Sequence, residues 1–139
     1  MKAKKFNNKY LIRIDKGEEI VKTLEEFCEK ENIKLGTITG IGATNKVKVG
    51  LFDPQEKEYH ADELEDNFEI TSLGGNISTM DGKTYLHLHI NLCDSKHKCF
   101  GGHLNQAYVS ATFEGVIEVI EGEVDRHLND EIGLNLWDF

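Results

Sequence analysis

The stretch Tyr85-Leu86-His87-Leu88-His89-Ile90-Asn91-Leu92 alternates apolar and polar residues without a break. That is the period-two signature of a strand with one face in a core. Successive Cβ atoms flip across a sheet, so Leu86, Leu88, Ile90 and Leu92 share one face. Tyr85, His87, His89 and Asn91 share the other. The two histidines therefore stand on one side, their Cα atoms roughly 6.8 Å apart at about 3.4 Å per residue. Imidazoles at that spacing can converge on one ion, with bonds of about 2.0–2.1 Å for zinc. The chain then turns through Cys93-Asp94-Ser95-Lys96-His97-Lys98 and reaches Gly101-Gly102-His103. An antiparallel return carries His103 toward the first pair, and the two glycines before it leave room for close backbone approach.

Working outward toward the N-terminus, Met80-Asp81-Gly82-Lys83 is a hairpin turn, because Asp-Gly between two β runs favours positive φ. It pairs the histidine strand with a strand from Phe68 to Thr79, on which Phe68, Ile70, Ser72 and Gly74 fall on one phase. Tyr59 to Asn67 carries five acidic residues or amides and one histidine, His60, and reads as an exposed connection. Asp53-Pro54-Gln55-Glu56 is a turn, preceded by an alternating strand through Val47, Val49 and Leu51. Thr37 to Ala43 is β-rich, and its Gly40-Ile41-Gly42 marks a bulge or a close backbone approach. A phosphate-loop reading of it fails, since it has no third glycine at the right offset, no following helix and no Gly-Lys-Ser/Thr. From Glu18 to Asn32 the period is helical, with Ile20, Leu24, Phe27 and Cys28 on one stripe. Asp15 and Glu18 resemble a capping box before it, and Cys28 is read as a small core residue. Tyr10 to Ile14, Tyr108 to Phe113, Val116 to Ile120 and Leu134 to Phe139 complete seven or eight strands. The expected class is α+β: one compact domain over 1–139, a mostly antiparallel sheet, one main N-terminal helix and a basic N-terminal tail over 1–9.

A chain of 139 residues with 39% apolar residues and a single proline is long enough to support its own core. No apolar run approaches the ~20 residues of a membrane span. The basic start, Met1-Lys2-Ala3-Lys4-Lys5, lacks the apolar segment of a signal peptide. Three scattered cysteines argue against a secreted disulfide framework, so the expected compartment is the cytoplasm. The formal charge of −9 disfavours DNA as a partner, because duplex affinity comes largely from Lys and Arg on phosphates. Lys2, Lys4, Lys5 and Lys9 form the one basic candidate, read as a solvated tail.

Several pieces, in this order along one chain, resemble a known family. They are Gly17-Glu18-Glu19 before a helix, Gly40-Ile41-Gly42-Ala43 before a Val-x-Val strand, and Phe52-Asp53 with Tyr59. Then come Phe68-Glu69-Ile70 with Ser72-Leu73-Gly74-Gly75, His87-Leu88-His89 and Gly101-Gly102-His103-Leu104. Over Tyr10 to Phe139 they resemble the PPC (plants and prokaryotes conserved) domain in its stand-alone prokaryotic form. The resemblance implies a compact protomer on a mainly antiparallel sheet and a homotrimer. It also implies a metal cluster of His87, His89 and His103, compatible with zinc or another divalent transition metal. Prokaryotic members carry a DNA-binding label from plant relatives, in which a basic AT-hook precedes the domain. Nothing here matches that hook, and the single proline, Pro54, has no arginine neighbours. The plant region that recruits partner proteins would fall on Phe68, Glu69 and Ile70, with Asp66 and Asn67 where plants have an arginine-like residue.

Three neutral imidazoles leave a metal with an open position. The leading reading is therefore a metal-binding trimeric domain without an assigned reaction. A DNA-associated regulator and a small metal-dependent hydrolase or lyase are the alternatives, with Glu69 as a candidate proton acceptor for the last. Cys93, His97 and Cys99 form a second grouping, but without the paired Cys-x-x-Cys spacing of zinc knuckles. His60 and His127 read as surface residues, and Tyr85 and Asn91 either as donors supporting the two histidines or as plain sheet-surface residues.

Overall fold

The computed structural model describes residues 1–139. The elements run β1 (Lys2–Phe6), β2 (Lys9–Asp15), α1 (Ile20–Lys30), β3 (Gly36–Asp53), β4 (Glu58–Met80), β5 (Lys83–Cys93), β6 (Cys99–Val119), β7 (Arg126–Asn129) and β8 (Leu134–Trp137). Six strands form one antiparallel sheet in the order β1-β2-β6-β3-β4-β5, and β7 and β8 form a separate hairpin. β6 also pairs with β5, so β3, β4, β5 and β6 make a closed ring of pairings. His103 stands where that ring closes, opposite Gly50 on β3 and opposite His89 on β5. No helix is long and apolar enough to cross a membrane.

The core is where period two and period 3.6 meet. Leu88, Ile90 and Leu92 of β5 are fully buried, as are Ile20, Leu24 and Cys28 of α1, and α1 packs against β5 and β6. Burial pushes the Cys28 thiol up to about 12, which keeps it an inert part of the stripe. Asp15 does not cap the helix, which starts at Ile20. Glu19 is the N-cap, its carboxylate accepting from the backbone N–H of Val21 and Lys22 and also from that of Ala107 on β6. Glu18 instead accepts from the Asp15 N–H and from the N-terminal ammonium. The acidic cap thus fastens the helix to the sheet as well as ending it.

Three expectations are corrected. Residues 1–9 are not a free tail: β1 pairs with β2 from Lys2↔Arg13 to Phe6↔Lys9, and Asn7 takes the turn at φ 52°. The side chains of β1 are all exposed, so its main-chain pairing leaves no alternation to read. Tyr59 to Asn67 is not a connection but the first half of β4, paired with β3 from Lys46↔Glu65 to Asp53↔Glu58. Most of it extends past the core, with Leu64 packed against the core's edge. Cross-strand pairs Lys46–Glu65 at 2.7 Å and Lys48–Glu63 at 3.9 Å lie along it. Finally, Phe68 and Ile70 do not share a phase with Ser72 and Gly74. A bulge between Ile70 and Ser72 shifts the register, and Leu73 takes the buried phase instead.

The turns match their residue types. Asp81 at φ 52° and Gly82 at φ 74° join β4 to β5. The Asp53 carboxylate accepts from the N–H groups of Gln55 and Glu56. The bulge expected at Gly40-Ile41-Gly42 is present, between Gly40 and Gly42.

The face assignment carries a stability contrast. Leu88→Ala empties a fully buried site and is expected to cost about 2–5 kcal/mol. His89→Ala, on the exposed face, is expected to stay within about 0.5 kcal/mol in metal-free protein. Urea denaturation of both variants with a chelator present checks this.

Candidate metal centre

Burial of Leu88, Ile90 and Leu92 forces His87 and His89 onto the opposite face of β5. The register then sets His103 directly across from His89. Close strand packing depends on the glycines before it. A Cβ at Gly101 would collide with the Ile90 carbonyl oxygen, and one at Gly102 would lie 2.7 Å from that of Gly50. The three imidazole centroids are 5.3, 5.3 and 5.4 Å apart. One ring nitrogen from each lies within 4.8 Å of the others. A tetrahedral zinc site with ~2.1 Å bonds needs nitrogens roughly 3.4 Å apart, so small ring rotations complete the fit. The donor set, three borderline-soft nitrogens, suits zinc and its neighbours among the divalent transition metals.

Electrostatics favour the ligating form. The His87 pKa is pushed down to about 4, first by burial and then by the neighbouring charges of His103, Arg126 and His89. That of His103 is lowered by burial and then by His89. Both rings are therefore neutral near pH 7, with a lone pair to give to a metal.

Neighbouring side chains hold the rings. Tyr59 stands edge-on to His103, centroids 6.0 Å apart, and its hydroxyl donates to Asn105 Oδ1 at 2.6 Å. The Tyr59 ring occupies the space a side chain at Gly50 would need. Neither Tyr85 nor Asn91 hydrogen-bonds an imidazole. Asn91 donates to Ser72 Oγ, and the Tyr85 hydroxyl accepts from Asn135 while its ring lies under Arg126.

The rings open into a cavity of about 900 Å³ between the β3–β4 arm and the β7–β8 hairpin. Its walls include Phe52, Tyr59, Tyr85, Arg126, Leu136 and Trp137. Arg126 went unnoticed in the sequence. Its Nε donates to Ser78 Oγ, Nη1 to the Asn135 carbonyl and Nη2 to Asn76 Oδ1, each at 2.8 Å. The guanidinium lies 4.7 Å from the Tyr85 centroid and 5.5 Å from that of Trp137. The available signal was its rarity, as one of two arginines in the chain.

The other candidates lie elsewhere. Glu69 pairs with Cys93, four residues along β5 from His89 and so about 13 Å away, out of reach as a proton acceptor. Cys93 and Cys99 face each other across β5 and β6 with sulfurs 3.5 Å apart. His97 does not join them in a three-ligand group, the two such groups being His87/His89/His103 and the exposed Glu56/Glu58/His60. His60 and His127 are exposed, near Glu56 and Asp138 respectively.

Comparison with known proteins adds the following. A family model described as the Plants and Prokaryotes Conserved (PCC) domain matches residues 1–121. A solved structure from Bacteroides thetaiotaomicron, provisionally described as a DNA-binding protein, is similar at 38% identity and a TM-score of 0.97, covering 99% of this chain and 96% of that one. A metal-containing protein from Archaeoglobus fulgidus is similar at 35% identity and a TM-score of 0.87 over 100% of both chains. A plant- and prokaryote-conserved (PPC) protein from Pyrococcus horikoshii is similar at 33% identity and a TM-score of 0.87, covering 99% and 94%. Among curated proteins, the bifunctional protein GlmU of Synechococcus is 28% identical over 96 residues, of whose length the match spans only 14%.

A depressed histidine pKa makes the unfolded state bind more protons as pH falls. Stability is therefore present above the ordinary histidine pKa of about 6.5 and lost as pH drops toward the folded value of about 4. Thermal melts of chelated protein are expected to show a decline in Tm across that window that is shallower in His87→Asn.

Proposed function

The chain belongs to the Plants and Prokaryotes Conserved (PCC) domain family, and on that premise we propose that it is a homotrimeric metal-binding member holding zinc on His87, His89 and His103. The observation that carries the reading is the convergence of three imidazoles, with ring nitrogens within 4.8 Å of one another. Similarity to a metal-containing protein along the whole chain supports it. When bound, zinc on these three histidines would supply a Lewis acid. His87 and His103 give lone pairs without first losing a proton, and Tyr59 keeps the His103 ring in place. No Asp or Glu lines the cavity, so a carboxylate general base is missing from its walls.

The trimer reading is supported by a second concavity of about 950 Å³ on the sheet, where Leu11, Ile41 and Val116 meet Leu73 and the edge of His89. Ile41 is 62% exposed and Leu11 49%, apolar surface that a second copy would cover. Because His89 borders both this groove and the cavity, a protomer interface there would run beside the metal. Three free cysteines suit the cytoplasm.

Metal analysis of protein purified without chelator is expected to give one zinc per chain. His87→Ala and His103→Ala should each lose it while keeping the far-UV spectrum. Absence of metal at any stoichiometry after zinc loading would sink the reading.

DNA association is a second reading, favoured by the description of the Bacteroides relative and by four exposed lysines at positions 2, 4, 5 and 9 on β1 and β2. The net charge of −9 opposes it. Gel shifts over a salt series are expected to show no complex at roughly physiological ionic strength. A complex that survives there and weakens when those lysines are changed to glutamine would favour the second reading.

A further inference from the structure

Arg126 is a cation that the protein does not neutralise. It is 7% exposed and takes part in none of the chain's ion pairs. Its three hydrogen bonds go to a serine hydroxyl, an amide oxygen and a backbone carbonyl, all uncharged. Buried charges are ordinarily paired, because leaving water is costly without a counterion. The chain has 25 acidic residues, yet none lines the cavity that Arg126 shares with the three histidines. Two of the five guanidinium N–H groups remain uncommitted.

The rest of the wall describes a ligand. Tyr85 and Trp137 lie over the guanidinium, and Leu51, Phe52 and Leu136 give an apolar lining next to it. Asn76 and Asn105 add neutral polar groups. The volume, about 900 Å³, falls in the range of small-molecule sites, which pair apolar walls with a few polar anchors. A planar guanidinium fork matches a carboxylate in particular.

We propose that this cavity binds a small organic carboxylate, its anionic end between Arg126 and the three-histidine centre and its apolar body against Phe52, Leu136 and Trp137. The proposal deepens the metal-binding reading and rests on it for the second half of the anion's site. Arg126 supplies the first half by itself. A purely structural role, tying β7 and β8 to β4, explains the three bonds Arg126 makes. It does not explain a charge left without a counterion in an acid-free cavity.

Trp137 is the single tryptophan of the chain, so its fluorescence reports on the cavity. Benzoate and its neutral isostere benzamide are titrated into zinc-loaded protein, into chelated protein and into Arg126→Gln and Arg126→Lys, with zinc content measured separately. Benzoate is expected to bind zinc-loaded wild type roughly ten-fold or more tighter than benzamide. A smaller preference should persist after chelation, survive in part in Arg126→Lys and vanish in Arg126→Gln. Should Arg126→Gln fail to fold, the wild-type comparison of the two isosteres decides. Equal binding of benzoate and benzamide, no saturable benzoate binding in the millimolar range, or a tighter response to inorganic phosphate overturns the proposal. If zinc is retained at one per chain in those cases, the metal-binding reading stands while this one falls. If zinc is not retained but the chelated protein still prefers benzoate, the Arg126 half stands without the metal.

Discussion

The pairing of residue 89 with residue 103 across β5 and β6 is the constraint from which the rest of the structure follows. A one-residue slip would turn His103, or the His87 and His89 pair, toward the core. Two things prevent it. Leu88, Ile90 and Leu92 are fully buried, so β5 cannot turn over without exposing all three. Gly101 and Gly102 allow β6 to pack against both β3 and β5 where their carbonyl oxygens would meet a Cβ. The three imidazoles are thus brought together by the core on the other side of the strand and by the glycines beside it. Hydrophobic burial and backbone sterics set the geometry, and the chemistry of the histidines is free to serve a ligand.

The β7–β8 hairpin gives that face its enclosure. Arg126 reaches from β7 to Ser78 and Asn76 on β4, and aromatic rings from β5 and β8 lie over it. A chain of net charge −9 therefore presents a pocket whose one fixed charge, on Arg126, is positive. Low-dielectric walls focus such a field on whatever enters. His89, the exposed member of the three, sits between this pocket and the apolar groove on the sheet.

Much of this was legible in the residues. Alternation at Tyr85 to Leu92 placed the histidines, Asp81-Gly82 placed the hairpin, and the stripe from Ile20 to Cys28 placed the helix. What escaped was whatever the local alternation of side chains does not report. The outer half of β4 sends one apolar side chain, Leu64, to the core, so its main local cue is charge at period two: Glu63 and Glu65 against Lys46 and Lys48. β1 is likewise held by main-chain pairing that its exposed side chains do not report. The bulge at Thr71 inverted a phase that a simple count of residues carried through. Glu19, rather than Asp15, caps the helix, and its carboxylate also reaches Ala107 on β6, a contact no local pattern encodes. Arg126 was missed for the same reason, since its partners lie nine to fifty residues away.

The most direct test of the three-histidine centre is an anomalous difference map, recorded at the zinc absorption edge from crystals grown with zinc. One strong peak within bonding distance of a nitrogen from each of His87, His89 and His103 is the predicted result. A map empty at that point, or with its peak between Cys93 and Cys99 instead, would contradict the account.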